Sequence, residues 1–180
     1  MQLASNHPSR IFLVGPMGVG KTTIGKMLAR ELGLEFVDCD HEIEDRSGAA
    51  VAWIFDVEGE AGFRQRERDM LDELTTRDNI LLATGGGAVL LQENRKFLNR
   101  GIVIHLDSNV PLLVKRTAKD KKRPLLQNSN PEEVLTRIKR DRDPLYREVA
   151  DFQIFVGDNS SRKAVNQILR ELSKEGMVEK

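Results

Sequence analysis

The sequence predicts an α/β fold in three layers, a five-stranded parallel sheet covered by helices on both faces. Short apolar runs recur between longer stretches of helical periodicity, most of those runs are continuous rather than alternating, and the first passes through a glycine turn into a helix. Ile11-Phe12-Leu13-Val14 is the first strand and ends in Gly15. Ile24, Met27, Leu28 and Leu32 follow at helical spacing, with Gly33 as the stop. Glu35-Phe36-Val37-Asp38 reads as the second strand, Ile80-Leu81-Leu82-Ala83 as the third, Ile102 to Leu106 as the fourth and Phe152 to Val156 as the fifth. The fifth alternates more than the others, which places it at a sheet edge. A closing helix buries Ala164, Val165, Ile168, Leu169 and Leu172, with Asp158, Asn159 or Ser160 as its cap.

Composition limits the function classes. The 180 residues carry 28 Lys and Arg against 28 Asp and Glu, a zero balance that argues against nucleic acid or an anionic membrane as main partner. One cysteine, Cys39, cannot close an intrachain disulfide and suits a reducing cytoplasm. The longest weakly polar run, Ile80 to Leu91, is broken by Thr84 and three glycines and is too short to span a bilayer. The N-terminal MQLASNHPSR lacks the pattern of a signal peptide and is expected to fray. No internal repeat is visible, and the chain reads as one domain, 1–180. Charge is uneven along it: residues 35–60 hold nine acids against Arg46, and KRTAKDKKR at 115–123 holds six bases against Asp120. Either run is compatible with a solvated surface.

Gly15-Pro16-Met17-Gly18-Val19-Gly20-Lys21-Thr22 matches G-x-x-x-x-G-K-[ST] between a buried strand and a helix. Glycines at those positions let backbone amides turn toward phosphate oxygens, and the helix N-terminus adds partial positive charge. Lys21 reaches the β and γ phosphates, and Thr22 ligates magnesium. Ligands of such sheets lie at the C-terminal ends of the strands, where two further segments stand out. Asp38-Cys39-Asp40 ends the second strand, and a period of two points both carboxylates to the mouth of the sheet, with Cys39 directed into packing. One carboxylate can hold magnesium and the other can face a hydroxyl. An Asp-x-Asp alone is as ordinary as any surface pair; its place beside the phosphate loop raises it. The third strand runs into Thr84-Gly85-Gly86-Gly87, whose bare amides permit close approach of a substrate. That strand lacks a terminal Asp for magnesium, which leaves Asp38 as the substitute.

The motifs GPMGVGKTT, FVDCD, GEAGFRQRE at 59–67, ATGGGAV at 83–89, KKRPLL at 121–126 and RDPLYREVAD at 142–151, in that order, resemble those of the shikimate kinases. The resemblance implies a P-loop kinase fold like that of the nucleotide monophosphate kinases. It also implies transfer of phosphate from ATP to the 3-hydroxyl of shikimate in a cytoplasmic pathway to chorismate. ATP contacts are then expected from Gly18, Val19, Gly20, Lys21, Thr22 and Thr23, with Arg116 by the adenine. Asp40 would contact the acceptor hydroxyl; Arg64, Arg142 and the run Gly85, Gly86, Gly87 would hold shikimate. Arg123 would sit on a mobile lid of about 117–128 and neutralise the moving phosphoryl group together with Lys21. The metal would lie on Thr22 and Asp38, and the substrate segment would span about 38–67.

The chemistry agrees at the substrate end, because guanidinium forks match a carboxylate and Arg64 and Arg142 supply two. Without the resemblance Arg64 reads as a surface ion pair on an amphipathic helix, whereas Arg142 precedes Asp143-Pro144 at an expected helix break. Glu67 is placed to orient Arg64. Trp53, Phe55 and Phe63 read as core or pocket wall, and His7, His41 and His105 take no catalytic part. The partners expected are shikimate and ATP with Mg2+, no nucleic acid and no membrane, and the state expected is a cytoplasmic monomer. Rival readings are a kinase of another hydroxy acid such as gluconate, a GTP switch, which would need an N-K-x-D motif the chain lacks, and a nucleic-acid protein, whose basic run would need interleaved aromatics.

Overall fold

A run of Ile, Leu, Val and Phe with no polar break must be covered on both faces, and the structure gives such runs the middle of its sheet. The computed structural model describes residues 2–3, 9–118, 130–158 and 161–179. A short β1 (Gln2–Leu3) pairs antiparallel with β7 (Val178–Glu179), apart from the main sheet. In the main sheet β2 (Arg10–Val14), β4 (Ile80–Ala83) and β5 (Ile102–Asp107) are almost wholly buried, while β3 (Glu35–Asp38) and β6 (Phe152–Phe155) are partly exposed. The order is β3-β4-β2-β5-β6 with every neighbouring pair parallel, so β6 lies at an edge as its alternation predicts.

Alternate residues of β2 feed two cores. Ile11 and Leu13 pack with Ile24 and Leu28 of α1 (Lys21–Leu32), Leu113 of α5 (Val110–Thr117) and Ile168 of α7 (Ser161–Lys174). Phe12 and Val14 pack on the other face with Ile43 of α2 (Cys39–Ser47), Leu71 of α3 (Val51–Leu74), Leu98 of α4 (Gln92–Leu98) and Tyr146 of α6 (Pro131–Val149). These are the three layers the sequence predicts. Gly33 ends α1 at φ 67°, where its amide donates to Ala29 O. Within the described residues no helix is long and apolar enough to cross a membrane.

Four expectations are corrected. The N-terminal stretch does not simply fray, because Gln2–Leu3 is tied to Val178–Glu179. The second strand stops at Asp38, whose carboxylate caps α2 by accepting from the amides of Asp40 and His41 at 3.2 and 3.4 Å. Asp40 therefore stands in the first turn of a helix, not on a strand. No helix break occurs at Arg142: α6 runs through Pro144, because Arg142, Tyr146 and Val149 are buried around it and tertiary packing offsets the bond that proline removes. Trp53 is 53% exposed and forms no part of the core, since Ile54 is the residue of that turn facing inward. Phe63 is buried as predicted, with the Phe55 ring 4.7 Å away. Of the proposed caps of α7, Asn159 and Ser160 lie outside the described residues, and Asp158 pairs with Lys115 at 2.9 Å.

Candidate active site

The phosphate loop joins β2 to α1 at the C-terminal edge of the sheet. Gly15 has φ 144°, and a Cβ there would come within 2.1 Å of Leu106 O, so a side chain cannot be fitted without moving β5. Gly20, the N-cap of α1, has φ 104° and provides no side chain to cap the helix, which leaves the first amides of α1 available to an anion. Lys21 Nζ curls onto the loop and donates to Gly15 O at 2.7 Å and Pro16 O at 3.0 Å. The Thr22 hydroxyl donates to Asp38 Oδ2 at 2.7 Å.

This loop forms one wall of a cleft of about 390 Å³, which also gathers Gly18, Gly20, Thr23, Asp38, Asp40, Gly85, Gly86 and Arg116. Asp38 and Asp40 meet in it although they belong to different elements. Asp40 is the perturbed member. Burial, then the charges of Glu67 and Asp38, raise its pKa to about 7 against the opposing pull of Lys21 and Arg64. Its Oδ1 is buried with no hydrogen-bond partner. A carboxyl group that titrates near neutrality and keeps an open acceptor atom is suited to take a proton. Cys39 between the two acids faces the core, and burial pushes its thiol pKa up, so it plays no part in the cleft.

The arginines lie behind the glycine run. Arg64 is 9% exposed, and its guanidinium donates to Glu67 Oε2 at 2.6 Å and to Glu60 Oε1 at 3.2 Å. Burial opposes its charge, but Glu67 and Glu60 outweigh that effect and hold its pKa above the usual arginine value. The surface ion pair that local spacing suggests is thus a buried one. Burial raises the pKa of Glu67, whose Oε1 has no partner and would lie 2.6 Å from a Cβ on Gly85; Asp40 Oδ1 would lie 2.9 Å from it. A Cβ on Gly87 would meet the Arg64 guanidinium at 2.3 Å. Arg142, 7% exposed on α6, reaches the same run, with NH1 3.8 Å from a Cβ position on Gly86. At Gly85 and Gly87 the side chains of Glu67, Asp40 and Arg64 occupy the space that a Cβ would fill, whereas at Gly86 the nearest atom is Met17 N at 3.3 Å.

Arg116 spans the loop and the end of the sheet, donating to Val19 O at 3.1 Å and Gly157 O at 2.8 Å. Val19 turns its side chain into the core and does not line the cleft. Arg123, lid residues 119–128 and His7 lie outside the described residues. Met17, Thr84 and Ser161 also line the cleft and were given no role from sequence, nor was Tyr146, whose hydroxyl donates to Gly86 O. The signal for Tyr146 was its place four residues after Arg142, one helical turn on the same face. Away from the cleft His105, Asp107 and Asp143 cluster, but Lys139 already bonds both carboxylates and is their counter-cation.

Residues 17–173 match the family model described as shikimate kinase. A shikimate kinase of Psychrobacter arcticus is 56% identical over 164 residues, 91% of this chain and 88% of the relative. One of Vibrio parahaemolyticus is 52% identical over 165 residues, covering 91% and 96% of the two chains. The solved structure of shikimate kinase from Acinetobacter baumannii in complex with shikimate superposes with a TM-score of 0.92 at 50% identity, over 96% of this chain and 97% of the other.

Proposed function

The chain belongs to the shikimate kinase family, and from that membership we propose how its own residues divide the work. The reaction is transfer of the γ-phosphoryl group of ATP to the 3-hydroxyl of shikimate, giving shikimate 3-phosphate and ADP in the biosynthesis of aromatic amino acids. The observation that carries the residue assignment is Asp40 Oδ1, a buried acceptor without a partner, set between the phosphate loop on one side and the arginines on the other.

Shikimate is held by its carboxylate on Arg64 and Arg142, with its ring against Gly85, Gly86 and Gly87, which keep the guanidinium groups within reach. Its 3-hydroxyl donates to Asp40 Oδ1. The hydroxyl oxygen attacks the γ-phosphorus in line, the bond to the bridging oxygen of ADP breaks, and the hydroxyl proton passes to Asp40, whose pKa near 7 matches that task. Lys21 leaves the loop carbonyls for the β and γ phosphate oxygens, where its charge offsets what develops in the transition state. Gly18 and Gly20 supply amides, Thr23 lines the phosphate end and Arg116 the adenine end. Arg123 is assigned to the same charge neutralisation on the family resemblance.

Thr22 Oγ1 and Asp38 Oδ2, 2.7 Å apart at the mouth of the cleft, are hard oxygen donors that fit a magnesium ion. When bound, the ion supplies charge neutralisation at the phosphate oxygens. One buried, free cysteine supports placing the enzyme in the cytoplasm, and we take it to act as a monomer.

Arg142→Lys tests the substrate end. An ammonium cannot make the two parallel bonds of a guanidinium, so the KM for shikimate should rise by about tenfold while the KM for ATP holds. A coupled assay of ADP release reads both. An unchanged KM for shikimate would remove Arg142 from the site.

A further inference from the structure

We propose that Tyr146 is a positioning residue for shikimate, pinning the glycine run against Arg142 through its hydroxyl. The inference rests on the reading that Arg142 and the glycine run hold the substrate. Tyr146 is fully buried, and its hydroxyl donates to Gly86 O across 60 residues of chain. In the same loop Gly85 O accepts from the Ala88 amide at 3.1 Å and Gly87 O from the Leu90 amide at 3.0 Å, so the phenol takes the carbonyl between them. Gly86 is also the point where the run approaches the phosphate loop, with Met17 N 3.3 Å and Arg142 NH1 3.8 Å from its Cβ position.

Three successive glycines have no side chains to anchor them, and a flexible strand-to-helix connection would otherwise sample many backbone states. The phenol removes that freedom at the centre of the run. Arg142 and Tyr146 stand one turn apart on α6, and both are buried. One helix face thus supplies both a fork for the substrate carboxylate and the clamp on the opposing backbone. The Tyr146 ring is held in turn by His105, with centroids 5.0 Å apart and planes tilted by 31°. A tyrosine needed only to fill the core would be replaced by phenylalanine with no effect on substrate binding.

Tyr146→Phe keeps the ring and removes the clamp. The KM for shikimate should rise by about tenfold, with the KM for ATP and kcat within about twofold of the parent enzyme. In the Arg142→Lys background the same substitution should add little, because the two changes act on one interaction. Tyr146 is the sole tyrosine of the chain, so tyrosine labelled with ¹³C at Cζ gives one resonance in the unaltered enzyme. Shikimate should shift it in the absence of nucleotide, and this measurement decides the matter if the variant does not fold. A Tyr146→Phe enzyme with the parent KM for shikimate, or in the absence of folded variant a resonance that shikimate leaves unmoved, overturns the proposal. If Arg142→Lys also leaves shikimate binding unchanged, the failure lies in the underlying assignment of Arg142; if Arg142→Lys weakens binding while Tyr146→Phe does not, it lies with Tyr146 alone.

Discussion

The Lys21→Met variant is expected to fold and to transfer no measurable phosphoryl group. Lys21 opens α1, and methionine has nearly the same helix propensity and length, so the first turn and the buried stripe of Ile24 and Leu28 should persist. What disappears is the ammonium proposed to move from the loop carbonyls to the β and γ phosphates. An in-line phosphoryl transfer offers the protein little to do beyond positioning and stabilising charge, so the loss of this cation should lower turnover by a factor on the order of 10³ or more. Circular dichroism and a thermal melt check the fold, and ADP release with shikimate checks the chemistry. Turnover within tenfold of the parent would mean that residues 15–22 are not a phosphate loop in function.

Asp40→Asn should lower kcat by a factor on the order of 10² or more and, at the same time, stabilise the protein above neutral pH. Asparagine keeps the shape but cannot take the hydroxyl proton. In the parent the pKa of Asp40 is about 7 in the folded state, against the ordinary aspartate value of 3.8. The reactive form is deprotonated, so kcat/KM should rise with pH and level off above about 7, and the variant should lose that inflection. The stability effect has the opposite sense. A carboxyl whose folded pKa is raised contributes stability below its unfolded pKa and loses it as pH rises through the folded value. At pH 8 the buried carboxylate is therefore a burden that asparagine relieves. The advantage of the variant should grow by about 3 kcal/mol between pH 5 and pH 8, and urea melts at the two values read it directly. A constant difference would mean that Asp40 titrates normally.

The parts of the molecule legible from sequence are those that local pattern dictates. Continuous runs such as Ile80–Ala83 can only be satisfied between two layers, and a glycine-rich turn ending in Lys21-Thr22 has few uses other than phosphate. Side chains whose environment is made by distant segments were not legible in that way. Arg64 has acidic neighbours at helical spacing and reads as a surface pair; its burial comes from the run at 85–87, about twenty residues further on. Arg142 and Asp40 stand on other local structure than the sequence pattern suggests. Pro144 suggests a break that packing overrides, and Asp38, the last residue of β3, caps α2, which turns Asp40 into the cleft on a helix instead of a pleat. The elevated pKa of Asp40 comes first from its burial and then from the charge of Glu67, 27 positions away, and no local pattern carries either.

The division of labour between the two acids is the centre of this account, and a magnesium titration tests it most directly. Nucleotide binding by calorimetry and turnover with shikimate are measured across a range of magnesium for Asp38→Asn and Asp40→Asn. Asp38→Asn should bind the nucleotide weakly at low magnesium and recover both binding and turnover as the metal is raised, because it loses a metal contact and nothing at the hydroxyl. Asp40→Asn should bind nucleotide like the parent at every concentration and stay slow throughout. Rescue of Asp40→Asn by magnesium, with Asp38→Asn indifferent to it, would show the two roles reversed and would contradict the assignment of the acceptor hydroxyl to Asp40.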